Sequence, residues 1–236
     1  MALVYLLRHG QASFGSDDYD VLSERGLRQS AVLGAELARR GVVPTRVWSG
    51  TLRRQRDTAV ACLAAAGVDL ALTQDERWNE YDHLALVRAR MGVGVANGTS
   101  GSPPSPPSPP SPPSPPSPRE FQRLLDDALI DWIGTAGTDS AGFGAFADGT
   151  VSALVDVVGS LGSGGVALVF TSGGVIAALV SRLLGLPADG FVAVNRVSVN
   201  AAITKIVHGR SGTSLLSFND HGHFDTDRTR DLLTYR

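Results

Sequence analysis

Arg8-His9-Gly10 sets a guanidinium beside an imidazole at the end of the first apolar run, Leu3-Val4-Tyr5-Leu6-Leu7. A neutral imidazole nitrogen can attack phosphorus, and an adjacent Arg can hold phosphate oxygens. Basic groups recur in Ser49-Gly50-Thr51-Leu52-Arg53-Arg54. With Ser49 closing a strand and the next residues opening a helix, the helix amino terminus offers free N–H groups to an anion, and Arg54 in the first turn reaches the same anion. Trp78-Asn79-Glu80-Tyr81-Asp82-His83 adds a carboxylate, Glu80, that could act as general acid to a leaving oxygen. His83 reads as a surface or packing residue. His221 and His223, with Asp220, Asp225 and Asp227, also permit a metal-binding reading, because alternate strand residues face one way. Two histidines without further well-spaced ligands support it thinly, and no metal is expected.

The elements that must position these groups alternate between strand and helix. The run Leu3 to Leu7 reads as a buried strand with a loop at its carboxyl end. A helix follows Ser23, a candidate N-cap, with Leu27, Ala31, Leu33, Leu37 and Ala38 at helical spacing, and stops at Gly41 and Pro44. Arg46-Val47-Trp48 predicts a short second strand, Leu52 to Ala66 a second helix ended by Gly67, and Val68 to Leu72 a third strand. Val166 to Phe170 is a continuous apolar run typical of a central parallel strand, followed by a helix over Gly173 to Leu184. Ala201 to Val207 and Ser214 to Phe218 close the chain as a pair of strands. The expectation is a three-layer α/β/α sandwich with a mainly parallel central sheet and ligands bound at the strands' carboxyl ends.

Residues 83 to 161 break this rhythm and read as an insertion after the third strand, over the sheet edge. Helices are expected over Arg119 to Ile133 and Phe146 to Leu161. Residues 92–118 are Gly/Ser/Pro-rich, and Ser102 to Pro118 is a pure Ser-Pro-Pro repeat. That repeat lacks too many backbone donors for a helix or central strand and should be polyproline II, about 50 Å long when stretched. Composition favours a flexible surface insertion over a ligand for a proline-binding partner domain. The whole of residues 1–236 is expected to form one domain.

At 236 residues, with 43% hydrophobic and 19% charged, the chain can bury a sizeable core. A net charge of −2 argues against a nucleic-acid partner. The longest apolar stretch, Val166 to Leu186, is broken by Thr171-Ser172-Gly173-Gly174 and Arg182, so no membrane span is expected. Cys62 is the only cysteine, and the N-terminus lacks a signal-peptide pattern; both fit the cytoplasm. A homodimer is compatible with the sequence.

The ordered motifs resemble the histidine phosphatase superfamily, also called the phosphoglycerate mutase-like family. Leu7-Arg8-His9-Gly10-Gln11 resembles its signature loop, and Leu22 to Gln29 the segment that follows. Ser49 to Ala59 resembles the second phosphate-binding segment, and Asn79-Glu80-Tyr81 falls where the family carries its acid. Phe170 to Ile176 matches the later strand-to-helix motif, while Asn200 and Phe218 to His223 resemble the closing strands and tail. Most of the chain outside the insertion is covered.

The resemblance implies that His9 is the nucleophile and becomes a phosphohistidine. It implies that Glu80 protonates the leaving group and that Arg8 and Arg54 hold the phosphoryl oxygens, with no metal or organic cofactor. Gln11, Ser172, Gly173 and His221 complete the expected phosphate-binding set. The departure is Ser172, which stands where the family usually has a second catalytic His. A Ser donates only a neutral hydrogen bond, and an uncompensated loss costs several kcal/mol in the transition state. His223 sits nearest the family's tail His position, so His221, the extra one, is the expected substitute. Trp78, Tyr81, Trp132 and Phe143 are candidates for an apolar pocket, although aromatics at such spacing are more often core. Asn195 and Arg196 are further candidates to approach the pocket.

The expected function is hydrolysis of a small phosphomonoester. The alternative from another class is a catalytically weak phosphate-binding or interaction protein, with the Ser-Pro-Pro tract as a handle. A phosphomutase is less supported, because nothing signals a dedicated sugar-phosphate pocket.

Overall fold

A computed structural model describes residues 1–13, 20–92, 118–135 and 142–235. The apolar runs become the inner strands of one six-stranded sheet in the order β3-β2-β4-β1-β5-β6. Strand β1 is Ala2–Arg8, β2 Arg46–Ser49, β3 Leu72–Gln74, β4 Val166–Thr171, β5 Ile203–Gly209 and β6 Gly212–Asp220. The first four run parallel, whereas β5 and β6 pair antiparallel beside β1. The carboxyl ends of β1, β2 and β4 therefore share one edge, the edge at which the sequence places its chemistry.

Alternation along the inner strands separates two cores. Leu7, Val47, Leu168 and Phe170 face α1 (Glu24–Arg39) and α2 (Arg53–Ala66), burying Leu33, Leu37, Cys62 and Leu63. Val4, Leu6, Ala167 and Val169 face α5 (Phe143–Gly159) and α6 (Gly173–Leu184). A third cluster, including Tyr81, Leu129, Ala178 and Phe191, joins α6 to α4 (Pro118–Gly134) and α7 (Ala188–Val197). Among the described residues no helix is long and apolar enough to cross a membrane.

Several details differ from the sequence expectation. The third strand is Leu72–Gln74, because β2 is short and its Val47 pairs first with Leu72. The buried stripe of α1 runs through Gly26, Gln29, Ser30, Leu33, Gly34 and Leu37, while Leu27, Ala31 and Ala38 are exposed. Gly34 is small for a reason: a Cβ there would lie 2.1 Å from the Cys62 carbonyl oxygen of α2. Helix α5 covers the sheet face through Ala153, Leu154 and Val157, so it is part of a main layer and not an addition at the edge. Two helices went unforeseen. α3 (His83–Arg90) is capped by the Asp82 side chain, which accepts from Ala85 N. α7 follows Pro187 and carries Asp189 in its first turn, a sequence signal for a helix start. The Ser-Pro-Pro tract, apart from Pro118 at the start of α4, lies outside the described residues.

Candidate active site

Arg8 and His9 leave the end of β1 almost fully buried. The His9 backbone is held from two sides: its N–H donates to Thr171 O (2.9 Å), and its carbonyl accepts from Ala201 N (3.3 Å) and Asn200 Nδ2 (3.1 Å). The ring is fixed as well. Nδ1 lies 2.7 Å from Gly10 O, and Arg54 Nε lies 3.3 Å from Nε2. A carbonyl can only accept and a guanidinium can only donate, so Nδ1 carries the proton and Nε2 keeps the lone pair. The imidazole thus presents a nucleophilic nitrogen beside a permanent cation.

The loop after His9 is locked against α1 and α2. Gly10 N donates to Thr58 Oγ1 (3.0 Å), whose own proton goes to Arg54 O (2.7 Å). A Cβ on Gly10 would fall 2.4 Å from Gly26 O, and one on Gly26 would fall 2.2 Å from Gln11 O. Both positions need glycine, because the loop and the first turn of α1 cross in backbone contact. Gln11 takes part in this crossing: its side-chain oxygen accepts from Ser23 Oγ (3.0 Å) and its N–H donates to Gln29 Oε1 (2.7 Å). Gln29, fully buried, also donates to Leu232 O (2.6 Å) and Thr234 Oγ1 (2.7 Å), tying the C-terminal segment to the loop.

Arg54 sits in the first turn of α2. Its Nε faces His9, and one terminal nitrogen donates to Asp20 Oδ1 at 2.6 Å. The other Asp20 oxygen accepts from Arg53 N at 2.7 Å. Leu52 at the N-cap provides no side-chain cap, so Asp20 supplies the anion that this helix end attracts.

Arg8 donates to the Ser198 carbonyl at the C-terminal end of α7. Next to it lies Gly173, whose added Cβ would meet Asn195 Oδ1 at 3.2 Å and Arg8 Nε at 3.4 Å. Asn195 donates to the Tyr81 hydroxyl at 2.9 Å. Glu80 reaches the same helix start: its Oε2 accepts from Gly174 N at 3.1 Å, and its Oε1 is buried without a hydrogen-bond partner among the described residues. A Cβ on Gly174 would fall 2.2 Å from that oxygen. Ser172, fully buried at the N-cap of α6, accepts from Gln55 Nε2 at 2.8 Å.

The structure thus gathers Arg8, His9, Arg54, Glu80, Ser172 and Gly173 around the strand ends. It does not bring His221 to them by any described contact: its Nδ1 lies 2.6 Å from Asn219 O. His223 is buried against Phe224, with Nε2 bonded to Ala201 O at 3.1 Å, and burial pushes its pKa below the usual imidazole value. The two rings bond to different carbonyls. Tyr81, Trp132, Phe143 and Phe146 form an aromatic cluster in the core around α4 and α5. Trp78 is fully buried against the sheet. Arg196 pairs with Asp126 on α4, and the His83 ring packs edge-on against Phe121. Sequence reasoning missed Asp20, Gln55, Thr58 and Gln29. The available signal was a polar residue at a core position, since Arg54, Gln55 and Thr58 lie on the buried stripe of α2 and Gln29 on that of α1.

A family model described as histidine phosphatase superfamily (branch 1) matches residues 4–88 and 118–221, leaving 89–117 unmatched. No curated protein matches the sequence. Among solved structures, the chain is similar to YhfR of Bacillus stearothermophilus, at 17% identity over 94% of this chain and 99% of that one, with a TM-score of 0.66. It is similar to a mycobacterial glucosyl-3-phosphoglycerate phosphatase at 23% identity over 92% and 98% of the two chains, with a TM-score of 0.60. It is similar to phosphoglycerate mutase from Bacillus anthracis at 18% identity over 94% of each chain, again with a TM-score of 0.60. At these identities the likeness is one of fold.

Proposed function

The chain belongs to the histidine phosphatase superfamily, and from that premise we propose that it hydrolyses a small phosphomonoester through a phosphohistidine on His9. The observation that carries this reading is the His9 ring, held with Nε2 as acceptor and Arg54 Nε at 3.3 Å. A phosphate bound beside it is drawn to Arg8, Arg54 and the N-terminus of α6. Arg54 turns its Nε–H from Nε2 to a phosphate oxygen, the freed lone pair attacks phosphorus, and the bond to the leaving oxygen breaks. Glu80 gives that oxygen its proton. Water then attacks the phosphohistidine while Glu80 takes a proton from it; the P–N bond breaks and inorganic phosphate leaves. Arg8 and Arg54 stabilise charge on the equatorial oxygens in both steps. The reading calls on no metal, because two guanidinium groups supply the positive charge. His221, whose Nδ1 lies 2.6 Å from Asn219 O, is given no step in it.

One observation favours a second reading. Ser172 offers a neutral donor where a cation is usual, so the protein could instead bind phosphate without turning it over. The test is to trap labelled enzyme from a panel of phosphate donors. Label that survives alkali, is lost in acid and is absent from His9→Ala supports the phosphatase. Phosphate or vanadate binding without any label supports the binding protein.

A further inference from the structure

Gln55 follows Arg54 in the first turn of α2 and is fully buried. Its carboxamide nitrogen donates to the Trp78 carbonyl at 2.9 Å and to Ser172 Oγ at 2.8 Å. The Trp78 carbonyl can only accept, and it also accepts from Thr171 Oγ1 at 2.7 Å, so the atom facing it is the amide nitrogen. The amide oxygen is wedged against Gly50, where an added Cβ would lie 1.9 Å away. Gln55 is therefore fixed in one orientation.

Strand register places Ser172 relative to His9. Arg8 pairs with Thr171 across the parallel β1–β4 ladder, so the next residues, His9 and Ser172, leave adjacent strand ends together. The Ser172 hydroxyl has one proton and two lone pairs. Its oxygen accepts from Gln55, which leaves its proton for another acceptor.

We propose that Gln55 is a positioning residue, which turns the Ser172 hydroxyl proton toward a phosphoryl oxygen at His9. Two neutral side chains then do together what neither does alone: Gln55 fixes the rotor, and Ser172 donates to the transferring group. A hydroxyl already oriented in the resting protein needs no reorganisation during the reaction. The proposal rests on the reading of His9 as nucleophile.

The experiment measures kcat and KM for p-nitrophenyl phosphate, and affinities for vanadate and inorganic phosphate, in wild type, Gln55→Leu, Gln55→Glu, Ser172→Ala and the Gln55→Leu/Ser172→Ala double variant. Gln55→Leu and Ser172→Ala should each lower kcat and vanadate affinity about tenfold, with KM and phosphate affinity within about twofold. The double variant should be no worse than either single one, because both remove the same interaction. Gln55→Glu should be the weakest of the singles, since a carboxylate there captures the hydroxyl proton and repels phosphate. Multiplying losses in the double variant overturn the proposal, as do equal losses of phosphate and vanadate affinity. Ser172→Ala removes a single oxygen and keeps the Gln55–Trp78 bond; an unchanged kcat and vanadate affinity in that variant also overturns it. Wild type that binds vanadate without turnover sinks the phosphatase reading and leaves the vanadate comparison to decide on Gln55. Wild type that binds no vanadate sinks both.

Discussion

Two polar clusters flank α1, and each holds arginines, carboxylates and a histidine. At the far end of the helix, Glu36 accepts from Arg39 (2.7 and 2.8 Å) and Arg40 (2.6 Å), and Arg40 continues to Asp220 (2.6 Å). Every cation there has a carboxylate, and the charges close on one another. At the strand ends Arg8 donates to the Ser198 carbonyl, and Arg54 donates both to Asp20 and to His9 Nε2. Buried acceptors there, Glu80 Oε1, Gln55 Oε1 and Asn195 Oδ1, lack partners among the described residues; in the other cluster only His223 Nδ1 does. The first cluster is built to hold the fold. The second leaves buried acceptors unmatched, and of these Glu80 Oε1 is the atom that the proposed acid step would protonate.

The sharpest break of this comparison is Arg54→Ala. It should lower kcat/KM about 10³-fold in steady-state assays, while chemical unfolding shows a loss of no more than about 1 kcal/mol, because Asp20 is only partly buried and can turn to water. A loss of stability as large as the loss of activity would erase the distinction between the clusters.

The mirror experiment is Glu36→Gln, which should lower stability by about 2 kcal/mol, a figure discounted because Arg39 is largely exposed, and leave kcat unchanged. The hydrogen bond from Arg39, joined by Arg40, holds the Glu36 carboxyl at about 2 against an ordinary 4.5. The folded value is the lower one, so the stabilisation is complete above the ordinary range and is lost as pH falls toward 2. Wild type and variant should therefore converge in acid when unfolding is followed against pH. A constant gap across that window contradicts the charge network as its cause.

Asp20→Asn is the smallest and finest test. Removing a charge that partly neutralises Arg54 should tighten phosphate binding about fivefold, near 1 kcal/mol, in calorimetric titration. Weaker binding would mean that Asp20 chiefly orients the guanidinium.

Much of the fold was legible because local signals and long-range packing agree. Ser23 caps α1 through Gly26 N, Gly67 ends α2 in the left-handed conformation, and the apolar runs become the inner strands. Arg8, His9, Arg54, Ser172 and Glu80 were legible as motifs at strand ends. Other features depend on partners distant in sequence. The face of α1 was misjudged because Gln29 and Ser30, polar in isolation, are buried by bonds to residues 232 and 234 and to the Gly26 carbonyl. The direction of the His221 side chain was beyond reach because strand alternation fails just before it. Register shifts near Lys205 disturb the β5–β6 pairing, and Asn219 turns the chain at φ 56°. Gln55 was hidden beside a more conspicuous arginine.

The bridge made by Gln29 sets an order in time. Ribosomes add about 5–20 residues each second, so roughly ten seconds or more pass between His9 and the residues that Gln29 grips, Leu232 and Thr234. Through most of that interval β1 lacks both neighbours, since β4 begins only at Val166 and β5 at Ile203. A nascent chain therefore carries His9 early but acquires the walls that aim it only once Thr171, Asn200 and Ala201 have been added.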